Sequence, residues 1–219
     1  MAYNADHKRP SKKMIAEFAK SPTATVVESG GICMPVAIKP IYKGMKVCGS
    51  AFTVDSRPGD NLALHYAVAH KVPGDVLVCD MKGFEEGGPF GELMATQAMA
   101  QGFKGLVIDA CVRDGIDLNK MKFPVFARGL CPKGTTKVTP GKINVPITCA
   151  GVAVGPGDII VADDDGVVVV PLASAEAVLE KCKARDKKEV KVRDGLAKGD
   201  LSIDRIDPGL KLLKQLGYL

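Results

Sequence analysis

Tryptophan is absent from the 219 residues, and aromatic residues of all kinds make up only 5%. No row of aromatic platforms exists on which bases could stack, so a net charge of +5 does not by itself make a nucleic-acid binder. The excess positive charge collects in the first 13 residues and in residues 181–193. Around the second stretch Glu180, Asp186, Glu189 and Asp194 are interspersed, as on a solvated helix face. No run approaches the ~18 apolar residues a membrane span needs. The polar start, Met1 to Arg9, lacks the apolar stretch of a secretory signal. A cytoplasmic protein with neither a nucleic-acid nor a membrane partner is expected.

Histidine is also scarce. Of His7, His65 and His70, the last two lie five apart and would point ~140° away from each other on a helix, too far to share a metal. The seven cysteines (33, 48, 79, 111, 131, 149 and 182) are odd in number, and none sits in a C-x-x-C pair. Several lie in apolar runs such as Val76-Leu77-Val78-Cys79, which reads as buried thiols rather than a disulfide framework or zinc site. Ser/His/Asp and Cys/His catalysis have little to stand on. There is no G-x-x-x-x-G-K-[ST] loop, and the glycines of residues 83–91 do not match G-x-G-x-x-G.

What is present alternates between helix and strand. Helices are expected over residues 11–20, 23–29, 62–70, 92–101 and 174–195, with a last short one after Asp207-Pro208-Gly209. Strands are expected over residues 34–38, 46–54, 76–79, 105–111 and 123–127, and again within 143–154. Asp165-Gly166 between two β-branched runs predicts a hairpin whose charged tip explains Asp163, Asp164 and Asp165 without a metal. These elements imply an α/β fold, a layered α/β sandwich with a mixed β-sheet core. Residues 1–219 read as a single domain with helical extensions at both ends.

Chemistry can gather at one loop and one strand end. Gly87-Gly88-Pro89-Phe90-Gly91 runs directly into the helix that starts at Glu92, and a helix N-terminus offers free N–H groups to a carboxylate. The buried strand that follows emits Arg113 and Asp114 from its C-terminal end, where ligands of α/β sheets collect. Arg113 offers a fork for carboxylate or enolate oxygens, and Asp114 a hard oxygen ligand for Mg²⁺ or Mn²⁺. Each residue also has a plainer reading. Arg113 and Asp114 could be a surface ion pair and helix cap, Glu92 a dipole partner, Asp60 a cap, and Glu189 one charge on a solvated helix.

The run Gly91-Glu92-Leu93, then Gly102-Phe103-Lys104-Gly105-Leu106-Val107-Ile108-Asp109-Ala110-Cys111-Val112-Arg113-Asp114, resembles the class II pyruvate aldolases. These act on 4-hydroxy-4-methyl-2-oxoglutarate and 4-carboxy-4-hydroxy-2-oxoadipate, and share a superfamily with the regulator of ribonuclease activity A. Pro58-Gly59-Asp60-Asn61, Pro73-Gly74-Asp75-Val76, Asn144-Val145-Pro146-Ile147 and Pro156-Gly157-Asp158 extend the likeness over nearly the whole chain. The aldolases carry a carboxylate, twenty residues, then Arg-Asp, and residues 93–112 are twenty in number.

The resemblance implies Asp114 as the protein ligand of Mg²⁺ (or Mn²⁺) and Arg113 as the contact to substrate oxygens. It assigns the backbone N–H groups of Gly91, Glu92, Leu93 and Met94 to the pyruvyl carboxylate. It also implies an acidic residue from a neighbouring subunit, best matched by Glu189, and hence a homotrimer or homohexamer with shared sites. The aldolase pattern has Asp where this chain has Glu92. Glu-Leu at that point also occurs in the regulator branch, which typically lacks an Asp after the Arg. The expected activity is metal-dependent retro-aldol cleavage of small 4-hydroxy-2-oxo acids to pyruvate, with oxaloacetate decarboxylation beside it. A non-catalytic ribonuclease regulator and a 2-oxo acid lyase with another substrate are the alternatives.

Overall fold

Four apolar runs line up as the parallel centre of one mixed sheet. The computed structural model describes residues 2–3, 7–70, 73–200, 202 and 207–218. Within them, strands Val47–Asp55, Asp75–Phe84, Gly105–Val112 and Val125–Ala127 are successive parallel neighbours. All eight residues of Gly105–Val112 are buried, as expected of a strand covered on both faces. The hairpin Ile159–Asp163 and Gly166–Val170 adds antiparallel to Val47–Asp55, with Asp163 paired to Gly166 across its tip. Short strands Ile32–Cys33 and Lys39–Pro40 close the two edges. This is the layered α/β sandwich with a mixed sheet that the element order implies.

The hairpin shows how the layers separate. Ile160, Ala162, Val167 and Val169 join the large cluster built around Phe52, Leu77, Ile108 and Phe126. Ile159, Val161, Val168 and Val170 face the opposite way, because successive strand residues alternate sides. There they meet Phe18 and Val26 of helices Lys12–Phe18 and Thr23–Glu28, and Val178, Leu179 and Cys182 of helix Ala175–Ala197. That long helix buries only its first turns, and the remainder, which carries Glu189, is solvated.

Three local features differ from the sequence expectation. Residues 34–38 form a turn rather than a strand: Ile38 donates to the Pro35 carbonyl, Met34 and Ile38 are buried, and Val36 is 93% exposed. Pro35 has no N–H to give a ladder, so pairing moves to the flanks at Ile32–Cys33 and Lys39–Pro40. The strand from Asp75 runs on to Phe84, past Lys82, whose positive φ of 56° marks the irregularity in its pairing. Helix Gly115–Met121 follows Asp114 directly and has no strong periodic signal in its sequence.

The acids at the hairpin tip are engaged by the backbone. Asp163 accepts from the Thr23 N–H and hydroxyl at 2.9 and 2.6 Å, and Asp164 accepts from the Gly44 N–H at 2.8 Å. All seven cysteines are free, five of them buried. Among the described residues no helix is long and apolar enough to cross a membrane.

Candidate functional site

The buried strand Gly105–Val112 ends by delivering Arg113 and Asp114 to the surface beside the start of helix Glu92–Gln101. Arg113 stays in register through its N–H, which donates to the Phe90 carbonyl at 2.9 Å. Asp114 adopts the left-handed conformation (φ 59°, ψ 38°), which Asp tolerates better than most residues. It stands at the N-cap of Gly115–Met121, yet its side chain makes no capping bond to that helix. Instead Asp114 Oδ2 accepts from the Glu92 N–H at 3.0 Å. Gly91, the N-cap of the neighbouring helix, has no side chain to offer, and Asp114 supplies the missing acceptor from another element. Arg113 Nε lies 3.6 Å from the same oxygen.

The close fit depends on two glycines. A Cβ on Gly91 would lie 2.2 Å from Asp114 Oδ2 and 2.9 Å from Arg113 Cγ. A Cβ on Gly88 would lie 2.5 Å from the Cys131 carbonyl and 2.8 Å from Arg113 Cβ. The loop is pinned from outside as well. Gly88 N–H donates to the Lys133 carbonyl at 2.8 Å, and Asn61 Nδ2 donates to the Pro89 carbonyl at 2.7 Å. Asp60 beside it is buried and accepts from the N–H groups of Leu62, Val138 and Thr139 and from the Thr136 hydroxyl. Burial opposes its charge, but these four donors outweigh that cost and hold its carboxyl at about 2. Arg128 clamps the start of the loop, with Nε on Asp109 at 2.6 Å and Nη1 on Glu85 at 3.2 Å.

Of the residues singled out from sequence, Gly91, Glu92, Leu93, Met94, Arg113 and Asp114 converge. The Glu92 N–H, expected to face a ligand, is occupied by Asp114, while those of Leu93 and Met94 sit in the first helical turn where no carbonyl of the same helix can reach them. The Glu92 carboxylate accepts from the Thr96 hydroxyl at 3.0 Å, one turn along the helix. Glu189 is not brought to this site within one chain: it pairs with Arg185 Nε at 2.7 Å, and Arg185 also reaches Glu28. Asn61, Asp109 and Arg128 escape sequence reasoning as supports of the site, whereas Gly88 lies in the glycine-rich loop singled out there. Asn61 lies in the Pro58-Gly59-Asp60-Asn61 motif, the one signal that points to it.

A cavity of about 380 Å³ opens here, lined by Arg113, Asp114, Ile116, Leu130, Cys131 and Pro132. Leu93, Ile116 and Leu130 are 76%, 75% and 57% exposed, a concentration of solvated apolar surface in the residues that follow Glu92, Asp114 and Gly129. Among the described residues no three His, Cys, Asp or Glu side chains are grouped to hold a metal. A cation here would therefore take one protein oxygen from Asp114 and otherwise water, a donor set that suits Mg²⁺, which keeps several waters. The partly exposed Asp114 carboxylate, held by one N–H over a glycine, fits that role.

The Aldolase/RraA model of the RraA-like family matches residues 23–169. A protein of Halalkalibacterium halodurans, whose name provisionally assigns it as a 4-hydroxy-4-methyl-2-oxoglutarate aldolase, is 38% identical over 173 residues, covering 78% of this chain and 82% of that protein. Among solved structures, an uncharacterized protein from Pseudomonas syringae pv. tomato superposes with a TM-score of 0.81 at 27% identity, covering 90% of this chain and 94% of the other. Streptomyces coelicolor RraAS2, described as an unusual member of the RNase ES inhibitor RraA protein family, gives a TM-score of 0.77 at 28% identity, covering 86% and 99%. The family match spans the parallel strands, the glycine-rich loop and the Arg113-Asp114 strand end, and the chain belongs to the RraA-like family.

Proposed function

We propose that the protein is a divalent-metal-dependent carbon–carbon lyase that cleaves small 4-hydroxy-2-oxo acids to pyruvate and also decarboxylates oxaloacetate. The observation that carries this reading is the 3.0 Å contact between Asp114 Oδ2 and the Glu92 N–H. It joins a cation-ready carboxylate, an arginine fork and a helix N-terminus in one small volume. Mg²⁺ or Mn²⁺, when bound at Asp114, would polarise the substrate ketone and favour charge on its oxygen.

The chain's own groups do the rest. The Leu93 and Met94 N–H groups orient the substrate carboxylate at the positive end of the helix. Water held by Glu92 takes the 4-hydroxyl proton, the C3–C4 bond breaks, and its electron pair moves into the pyruvate enolate. Arg113 offsets the developing oxyanion, and return of the proton to C3 gives pyruvate. When CO₂ departs instead, the same enolate forms. Glu189, engaged by Arg185 in its own chain, would come from a neighbouring subunit of a trimer or hexamer to complete the site.

A second reading has one observation in its favour. The exposed apolar residues Leu93, Ile116 and Leu130 suit a protein partner, as a regulator of ribonuclease activity would need. Pyruvate release from a panel of 2-oxo acids, with Mg²⁺ and with chelator, separates the two. The lyase reading expects turnover that chelator abolishes and that Asp114→Asn lowers to background with the fold intact, because a neutral amide is a poor ligand for a hard cation. Turnover unchanged in Asp114→Asn, or absent for every substrate with metal present, rejects it.

A further inference from the structure

A larger opening lies at the other end of the sheet. A cleft of about 1180 Å³ is formed where the parallel strands begin, at Val47, Asp75 and Gly105, with helix Lys12–Phe18 along one side. The strand Gly105–Val112, eight residues at roughly 3.3 Å each, separates it from Arg113 by about 25 Å. The reaction proposed above makes no use of it.

Three features of the cleft point to a ligand. Arg9, Lys12, Lys46, Lys104 and Lys122 all line it. Among the described residues that line it, one acid, Asp75, stands against these five cations, so this lining is strongly positive. Ile15, Ala16, Ala19 and Val47 provide an apolar wall. Most telling is the floor. Ser50 and Asp75 are register partners on adjacent parallel strands, so their side chains lie side by side on one face of the sheet. Both are more than nine-tenths buried, and among the described residues neither Ser50 Oγ nor Asp75 Oδ2 has a hydrogen-bond partner.

Asp75 Oδ1 is held by Arg9. Burial pushes this carboxyl up to about 6 despite the arginine, and among the described residues its second oxygen is left without a donor. Buried polar atoms are rarely left unpaired. A partner for this pair must bring hydroxyl groups to the floor, while its negative charge meets the lysines at the rim. Inorganic phosphate brings too little volume and no hydroxyl-bearing ring.

We propose that this cleft binds a nucleotide, with its ribose hydroxyls on Ser50 Oγ and Asp75 Oδ2, its base against the apolar wall and its phosphates among Lys46, Lys104 and Lys122. Calorimetric titration of the full chain with ADP in Mg²⁺ buffer tests it. Saturable binding in the submillimolar range is expected. 2′,3′-Dideoxy-ADP should bind on the order of tenfold more weakly, as should inorganic pyrophosphate, since each forfeits the floor contacts. Lys46→Glu with Lys104→Glu, both at exposed positions that leave the fold intact, should weaken ADP binding by more than about tenfold. Asp114→Asn should leave it unchanged, which separates this site from the proposed lyase centre. The proposal is overturned by the absence of saturable ADP binding. It is equally overturned by dideoxy-ADP or pyrophosphate binding as tightly as ADP, by indifference to the double lysine change, or by loss of binding in Asp114→Asn.

Discussion

Replacing Gly91 with alanine places one methyl group where the structure has room for none. The φ of Gly91 is −156°, ordinary extended backbone, so the substitution brings no strain of its own. The new Cβ would lie 2.2 Å from Asp114 Oδ2, whereas a carbon and an oxygen in contact rest roughly 3.3–3.5 Å apart. Asp114 must therefore retreat by about 1 Å, and Arg113, whose Cγ would be 2.9 Å from the same methyl, must shift with it. Losing the Glu92 N–H contact removes a helix cap worth about 1 kcal/mol, which in a domain of this size lowers the melting temperature by about 2–4 °C. The catalytic effect should be far larger. A misplacement of ~1 Å in a positioned constellation costs about 10²-fold in rate. Pyruvate release followed by a coupled reduction measures one quantity and thermal unfolding the other. Gly129→Ala is the control, since its nearest added contact is Cys111 Sγ at an unforced 3.6 Å, and it should behave as wild type. A Gly91→Ala protein that loses a few degrees of stability but keeps its turnover would show that Asp114 is a helix cap and nothing more.

Arg113→Lys keeps the charge but loses the planar fork, and turnover should fall by ~10²-fold or more; a variant close to wild type would reduce Arg113 to an ion-pair partner. Asp60 makes a definite pH prediction. Its folded carboxyl is held at about 2, below its ordinary 3.8, so the stability it contributes is complete above about 4 and is lost as pH falls from there through about 2. Acid unfolding of Asp60→Asn, compared with wild type, should lack that component; identical acid limbs would contradict the hydrogen-bond argument. For Glu189, Asp114→Ala and Glu189→Ala, each inactive alone, can be unfolded, mixed equally and reassembled. A site shared between neighbours in a ring should regain about a quarter of wild-type activity, and no recovery places both residues in one subunit.

The main elements of the site are legible in the amino-acid sequence because they rest on strong local signals. The all-apolar run ending in Val112 declares a buried strand, and Gly-rich sequence followed by Glu92 declares a helix start. The hairpin at Gly166 is equally direct. What the sequence conceals is non-local. Asp114 looks like the cap of its own helix, and nothing in its neighbourhood announces that it serves Glu92, 22 positions away. Asn61 and Arg128 support the loop through contacts to Pro89 and Glu85, 28 and 43 positions distant along the chain. At residues 34–38 a β-like pattern misleads, since Pro35 blocks the ladder that Met34, Val36 and Ile38 invite. Helix Gly115–Met121 escapes notice because it starts with glycine and buries a single apolar side chain, Leu118.

The sheet order also governs how this chain must be assembled. Strand Val47–Asp55 lies inside the sheet, but its antiparallel neighbour Ile159–Asp163 is synthesised long after it; the Val47–Ala162 pair spans 115 positions. Until that hairpin arrives, this strand of nine residues, eight of them buried, presents an open, apolar edge over most of its length, Lys142–Ile143 pairing only with Val54 and Asp55. The parallel partners on its other side each require a crossover of their own, the slow kind of pairing. A nascent or truncated chain that stops short of Ile159 thus carries a ready template for pairing with another copy of itself. Chaperone dependence and loss to aggregates should accordingly rise sharply for fragments ending before residue 159 and ease once Gly166–Val170 can fold back over the edge.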